Sequence, residues 1–540
     1  MLSLMLPVSA TASVDTLPAL NAYARARLAD SEGALGVAAT SYRMALEKDP
    51  ASSDIARRSY SQGLESGDRA LALRSAALLD AQAILPRDGT LLQLGDAFSR
   101  KDWAGAHRLV TRMESEGDFA FLGSILTSWI SLGEGHYQAP AIDLKGRFAM
   151  LAQRYMDEHL AFQALARRNP QEAVPPAARA LALAAADGAG IRLTLAAQFA
   201  ALGDRDNALA LLPDGQAVFA RARADIVRGK GRRAVALTPA QGFARLIARL
   251  ASDISTQEDS AALAVRLARI ASFADPGNAE IRVIVARLLT LANYPAFAVA
   301  EAQAVRPDNW HYAMAQDELV DALAAAGDRP QALALARSLA ALPGADAQRQ
   351  IRLGRLLSEE KDFAGAAAAF KAAQAGFTPD TTPWALLLFE GSALEQGGQW
   401  DAARAVLERA AKIAPDEPVV LNYLGYAQIE RRQNVEAALI LLKKASALKP
   451  MDASISDSLG WAQFIAGDAH GAVPVLERAA IGAPDDATVN EHLGDALWSV
   501  GRRYEARYAW NAAATFAEGE RAERLAAKTR EGLKPEYAAP

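Results

Sequence analysis

The residues most often used for chemistry are few here. Six histidines occur, His107, His136, His159, His311, His470 and His492. No two of them fall at metal-ligand spacing on one helix, and HExxH is absent. Cysteine does not occur, which excludes disulfides, thiolate zinc sites, a cysteine nucleophile and a lipid-modified cysteine. There is no GxSxG elbow and no GxGxxG preceded by a strand. Gly229-Lys230-Gly231 lacks both the preceding glycine spacing and the following Ser or Thr of a phosphate-binding loop. His492 and Asp495, three apart on an expected helix, could pair, but no third group converges on them, so they read as a surface or capping contact. The chain is therefore expected to be no enzyme and to carry no catalytic residue, no metal and no cofactor. Electrostatic chemistry has one candidate segment. Within 213–242, the stretch from Arg221 to Arg233 sets Arg221, Arg223, Arg228, Lys230, Arg232 and Arg233 against a single acid, Asp225. Such a run can bind phosphate, nucleic acid or an acidic partner; the expectation is a solvated linker between two superhelical halves.

The chain around these residues is long and balanced. At 540 residues it exceeds one compact core, which favours several domains or a repeat array. Lys and Arg total 58 against 63 for Asp and Glu, a net charge of −5, without the basic excess usual for nucleic-acid binding. A hydrophobic fraction of 51% with 22% charged residues suits a folded chain. Much of that apolar fraction is alanine, the strongest helix former. Residues 1–12, MLSLMLPVSATA, are apolar, and Ala10, Thr11 and Ala12 resemble a signal-peptidase site, but no basic residue precedes Arg25. They read as the end of a secretory signal or as an ordinary frayed terminus. No charge-free apolar run of about 18 residues follows, so no membrane span is expected.

Two periodic markers run through the chain. Pro276, Pro307, Pro343, Pro379, Pro415, Pro450 and Pro484 lie 31, 36, 36, 36, 35 and 34 residues apart, and Pro50 and Pro86 are 36 apart. Proline at such intervals punctuates helices. Between them, Gly391, Gly425, Gly460 and Gly494 are spaced 34, 35 and 34, and Ala410, Ala445, Ala479 and Ala513 are spaced 35, 34 and 34. A small residue follows each glycine by about twelve: Ala403, Ala437, Ala472 and Ala506. Small residues in mid-helix let a partner helix approach closely. Each unit thus reads as two short helices that only stacking can stabilise. Asp416, Asp452, Asp485 and Asp486 suit the start of the following helix. Residues 518–533, polar and helical with Glu520 and Arg524 at i,i+4, read as the cap of the last repeat.

This pattern resembles the tetratricopeptide repeat, a 34-residue helix-turn-helix unit with small residues at its eighth and twentieth positions. The match is closest over 384–520, good at 21–86 and 245–379, and degenerate at 122–212. The phrases LNYLGY, SDSLGW and NEHLGDALWSVGRRYEARYAW also look like a group of alphaproteobacterial repeat proteins of the cell envelope. The resemblance implies an all-α solenoid, a right-handed superhelix of about 12–14 repeats. It divides the chain into a possible truncated signal segment (1–12), N-terminal repeats (13–212), the basic break (213–242), middle repeats (243–383), regular C-terminal repeats (384–517) and a capping helix with tail (518–540).

The resemblance also places repeat positions five, nine and twelve on the concave groove. These are Asn422, Tyr426 and Ile429; Asp457, Trp461 and Phe464; and Glu491, Asp495 and Trp498. Each set follows i, i+4, i+7, one helix face. The expected groove is an acidic row flanked by rings, suited to a peptide with apolar and basic character, unless the aromatics merely seal contacts between repeats. Asp457 and Glu491 stand where a carboxylate clamp would need cations, which disfavours that role. The functional expectation is a non-enzymatic protein-interaction scaffold, periplasmic or outer-membrane-associated if 1–12 is a signal. The alternatives are a cytoplasmic adaptor and, through 221–233, a nucleic-acid-linked regulator.

Overall fold

The computed structural model describes residues 17–141, 149–184, 188–230, 237–257 and 260–537. The apolar stretch 1–12, and Gly231, Arg232 and Arg233 of the basic run, lie outside the described residues. Regular structure among the described residues is α-helical with short 3₁₀ turns, and no strand occurs there. All nine prolines of the ruler sit in turns or loops between helices, as their missing N–H and fixed φ require. No described helix is long and apolar enough to cross a membrane. The chain divides into two compact units, Met1–Ala345 and Asp346–Pro540. That boundary falls inside the block 243–383 expected as continuous middle repeats, and not at 213–242.

The C-terminal unit is a stack of antiparallel helix pairs. Ala347–Glu359 pairs with Phe363–Ala373, Trp384–Gln396 with Trp400–Ile413, and Pro418–Glu430 with Val435–Leu448. Ala453–Ile465 pairs with Ala469–Gly482, Ala487–Ser499 with Arg503–Thr515, and Gly519–Glu531 closes the stack. The glycine ruler has a direct steric cause. A Cβ added at Gly391, Gly425 or Gly460 would lie 2.6–2.7 Å from Leu407, Leu442 or Leu476 of the partner helix, and one at Gly494 would lie 2.4 Å from Trp510. Ala403, Ala472 and Ala506 are fully buried, as are Ala410, Ala445, Ala479 and Ala513. One position in the expected register is wrong. Ala437 is exposed, and its neighbour Ala438 takes the buried place. The preceding turn is a residue longer, with Arg432 and Asn434 both at positive φ, 51° and 49°. Asp452 and Asp486 cap their helices through the backbone N–H of Ile455 and of Thr488 and Val489. Asp416 instead pairs with Lys444 at 2.8 Å, and Glu417 takes the capping place.

The N-terminal unit begins with three such pairs: Leu17–Ser31 with Leu35–Lys48, Ser53–Ser66 with Arg69–Ala81, and Arg87–Arg100 with Trp103–Glu116. Two later helices, Pro239–Ile254 and Ala261–Ala274, pack back against this opening array. The first starts with a full capping box between Thr238 and Gln241 and buries an unbroken run from Gly242 to Ser252. Phe243 stacks on Phe98 with centroids 5.2 Å apart, and Gly95 leaves room for it, since a Cβ there would meet the ring at 2.7 Å. Ion pairs tie the returning helices down: Arg266 reaches Asp88 at 2.7 Å across 178 residues of sequence, and Arg269 reaches Glu301 at 2.5 Å.

The segment 213–242, expected as a solvated linker, contains a packed helix over part of its length. Ala217–Val227 is a helix that buries Phe219, Ala222, Asp225 and Ile226. Its first N–H donates to the Gly344 carbonyl at 3.0 Å. Gly344 has φ +75°, and a Cβ there would collide with Gly215 O at 2.0 Å, so only glycine fits this crossing. Arg221 lies 3.3 Å from Asp225 and also reaches the Pro307 carbonyl, while Arg223 donates to the Leu209 and Leu212 carbonyls. Two of the run's cations are thus spent on the fold.

Candidate functional site: the inner face of the C-terminal repeats

The first helices of the C-terminal pairs carry every residue assigned to the groove. Their side chains point inward together, but little of the acidic row is open. Asp457 is buried, and both its oxygens lie 3.0 Å from Nδ1 of His492 on the next first helix. His492 stacks on Trp461 with centroids 4.0 Å apart and planes 8° apart, and Trp461 stacks on Phe464 at 5.0 Å. The three rings form a seam between successive repeats. A similar seam lies two repeats earlier, where the Tyr423 hydroxyl is 2.9 Å from Ser392 Oγ and 3.2 Å from the Glu395 carboxylate. His492, 2% exposed, therefore partners Asp457 across the seam, which corrects the expected surface contact.

The remaining acids face the terminal helix Gly519–Glu531. Glu491, 1% exposed, accepts two hydrogen bonds from Arg524 at 2.9 Å each and one from Lys528 Nζ at 2.7 Å. Asp495 accepts from Lys528 Nζ at 2.8 Å on both oxygens and from Trp510 Nε1 at 2.9 Å. Burial pushes the Glu491 carboxyl up, but the hydrogen bonds and charges of Arg524 and Lys528 outweigh it and hold the group below its ordinary value. Burial wins at Asp495, whose carboxyl is raised in spite of Lys528. Lys528 is itself fully buried, a position a lysine tolerates only when paired. The expected Glu520–Arg524 rung gives way to Arg524–Glu491. The acidic row and its basic complement both exist, and the chain's own cap supplies the complement. Trp498 is half-buried, tilted on Trp510 at 5.4 Å, with Arg503 and Arg507 over its ring at 5.2 and 5.0 Å.

What stays accessible lies toward the front of the unit. Asn422 and Tyr426 are half-buried, Ile429 is buried, and Val419 and Glu430 are exposed on the same helix. Asn422 Oδ1 is buried and finds no hydrogen-bond partner. The Tyr426 hydroxyl is raised above its ordinary value, first by burial, then by the charges of Glu430 and Asp457.

A family model described as a tetratricopeptide repeat matches residues 383–429, the first regular pair and the helix that follows it. Residues 383–429 thus match the tetratricopeptide repeat, and the pairs that follow share its helix-turn-helix arrangement. Among solved structures, the chain is similar to one titled MamA MSR-1 C2, at 20% identity and a TM-score of 0.27, over 32% of this chain and 95% of that one. It is also similar to one titled Crystal structure of MamA protein, at 22% identity and a TM-score of 0.27, over 36% of this chain and 98% of that one. No curated protein matches the chain.

In this array of helix pairs the inner face has a closed rear and an open front. The rear, from Asp457 to Trp498, is occupied by seams and by the cap helix. The front, along Pro418–Glu430, offers a tyrosine, an unsatisfied amide oxygen and the exposed acid Glu430 to an incoming chain. No group of three or more metal-ligating side chains converges among the described residues. Sequence reasoning missed Arg521, Arg524 and Lys528 as residues of this face. Their signal was legible: i, i+3, i+7 cations on the terminal helix, matching in number the acids on the helices before it.

Proposed function

We propose that the chain is a non-enzymatic interaction scaffold of the bacterial cell envelope, whose tetratricopeptide groove holds an extended or helical segment of a partner protein. The observation that carries the reading is the open front of the inner face, where Asn422 Oδ1 is desolvated without a partner beside Tyr426 and exposed Glu430. A desolvated acceptor costs stability until a donor meets it, and a peptide N–H or a basic side chain is such a donor. Tyr426 supplies an anchor wall and Glu430 favours basic character in the segment. Residues 1–12, with the Ala10-Thr11-Ala12 pattern, support export. The committed state of Arg221 and Arg223 weighs against a nucleic-acid reading.

Site-specific photo-crosslinking in cells tests the groove. A crosslinker at Tyr426 should trap a protein adduct that Asn422→Arg abolishes, whereas one at Tyr508, an exposed position on an outer helix, should not trap the same adduct. Equal trapping from both positions, or none from Tyr426, refutes the assignment. N-terminal sequencing of native protein tests export: a chain starting near Ser13 agrees, and retained Met1 removes the envelope.

A further inference from the structure

We infer that the N-terminal unit holds a second binding site, for one ring of a neutral sugar, in the cavity between the helices Gly188–Ala201 and Pro239–Ile254 and the turn at 308–311. The cavity measures about 320 Å³, at the small end of the range for ligand pockets. It belongs to a different unit from the peptide groove and does not depend on that reading.

The charges around it are already matched. Arg245, 6% exposed, places Nη2 2.6 Å from Glu280, and Glu158 lies 3.8 Å from its Nη1. Thr194 donates to the same Glu280 at 2.7 Å. His311 lies 3.8 Å from Glu280, and burial holds its pKa below the ordinary value, so the ring is uncharged at neutral pH. At the rim, Asp308 pairs with Arg306 at 3.2 Å. An anion entering here would meet Glu280 and Asp308, and a cation would meet Arg245. A neutral ligand meets no such penalty.

Neutral hydrogen-bonding capacity, by contrast, is left over. Gln198 lines the cavity beside His311, whose Nε2 is buried without a hydrogen-bond partner. A buried ring nitrogen in that state is costly unless a ligand completes it. The Gln198 amide offers an acceptor and two donors at one point, which matches a hydroxyl that both donates and accepts. Gln241 uses Oε1 to accept from the Thr238 N–H at 3.0 Å, which leaves its NH₂ for the cavity. Asn309 uses Oδ1 to accept from the His311 N–H at 2.9 Å, which likewise leaves its NH₂. Trp310 commits Nε1 to Asp225 at 3.1 Å, so the indole can present only carbon surface. Amides that donate and accept, beside an aromatic wall and without net charge, fit a ring with hydroxyls on its edge and C–H groups on its face.

Titration calorimetry of the full chain with glucose, galactose, N-acetylglucosamine and maltose tests this, with glucuronate and N-acetyl-triglycine amide alongside. At least one neutral sugar should bind at millimolar concentration or below, and neither the anion nor the peptide amide should match it. Gln198→Leu should weaken that binding about tenfold, the scale of one lost buried hydrogen-bonding group, and Ala197→Phe should block the cavity and abolish it. Both variants should keep the wild-type helical circular dichroism. No heat from any neutral sugar, equal or tighter binding of glucuronate or the peptide amide, or sugar binding unchanged in folded Gln198→Leu and Ala197→Phe each overturns the proposal.

Discussion

Replacing Lys528 by methionine keeps the length of the side chain and removes its charge from the most enclosed ion cluster of the C-terminal repeats. Lys528 Nζ sits 2.7 Å from Glu491 and 2.8 Å from both oxygens of Asp495, and all three side chains are at most 1% exposed. Taking one partner from a buried pair typically costs ~3–5 kcal/mol, because the other charge is stranded. Two features place the expected loss near the lower end. Glu491 keeps its bidentate Arg524, and Asp495, already raised by burial, can escape by taking a proton. The expected destabilisation at neutral pH is therefore ~3 kcal/mol, and it should shrink on acidification as Asp495 neutralises. Urea denaturation of the full chain, followed by far-UV circular dichroism and by the fluorescence of nearby Trp498 and Trp510, measures it. Lys528→Met/Asp495→Asn should recover at least half the loss, since the amide still accepts from Trp510 and no acid is stranded there. A single-variant cost below ~1 kcal/mol, or a double variant as unstable as the single, would refute the view that the cap helix is held by this cluster.

Three further outcomes follow from the packing. Ala438→Leu should cost about 1–3 kcal/mol by overpacking, while Ala437→Leu, on the exposed side of the same helix, should stay within ~0.5 kcal/mol; thermal melts compare them, and the reverse order would restore the uncorrected register. Gly494→Ala drives a Cβ to 2.4 Å from the Trp510 ring and should lower the melting temperature more than Ala438→Leu does, because the ring must also leave Asp495; an unchanged melt contradicts the close approach. His159, buried and accepting from Trp129 Nε1 at 2.9 Å, has its pKa lowered from 6.5 to about 3, first by burial and then by Arg245. Below pH ~6.5 the unfolded chain binds a proton that the folded chain refuses, so stability is full above that pH and falls toward pH ~3, by on the order of 4–5 kcal/mol; in His159→Phe the slope of urea midpoint against pH should flatten over this range, and an unaltered slope would mean the ring titrates freely.

The repeat architecture was legible because its determinants are local. Gly460 must be small since Leu476, sixteen residues on, lies against it, and Asp452 and Asp486 cap helices that begin at the next residue. Such relations lie within one helix pair and recur at each repeat, so periodicity exposes them. A local irregularity also explains the one register error: nothing in the spacing of the other units announces two residues at positive φ in the turn before Val435.

The sequence by itself determined that Glu491 and Asp495 share one face of their helix, because i, i+4 geometry is a property of a single helix, and the repeat resemblance set Asp457 at the equivalent place one repeat earlier. Only the tertiary structure decided what meets that face. Lys528 lies 33 residues from Asp495 and 37 from Glu491, and the helix Pro239–Ile254, expected to follow a linker, fills the inside of the N-terminal unit. A row of carboxylates has the same residue pattern whether a foreign basic peptide or the chain's own cap helix covers it. The difference is set by where a later segment turns back and which surfaces it desolvates, and that depends on turn geometry and on the summed packing of many helices, to which no spacing rule within one repeat gives access.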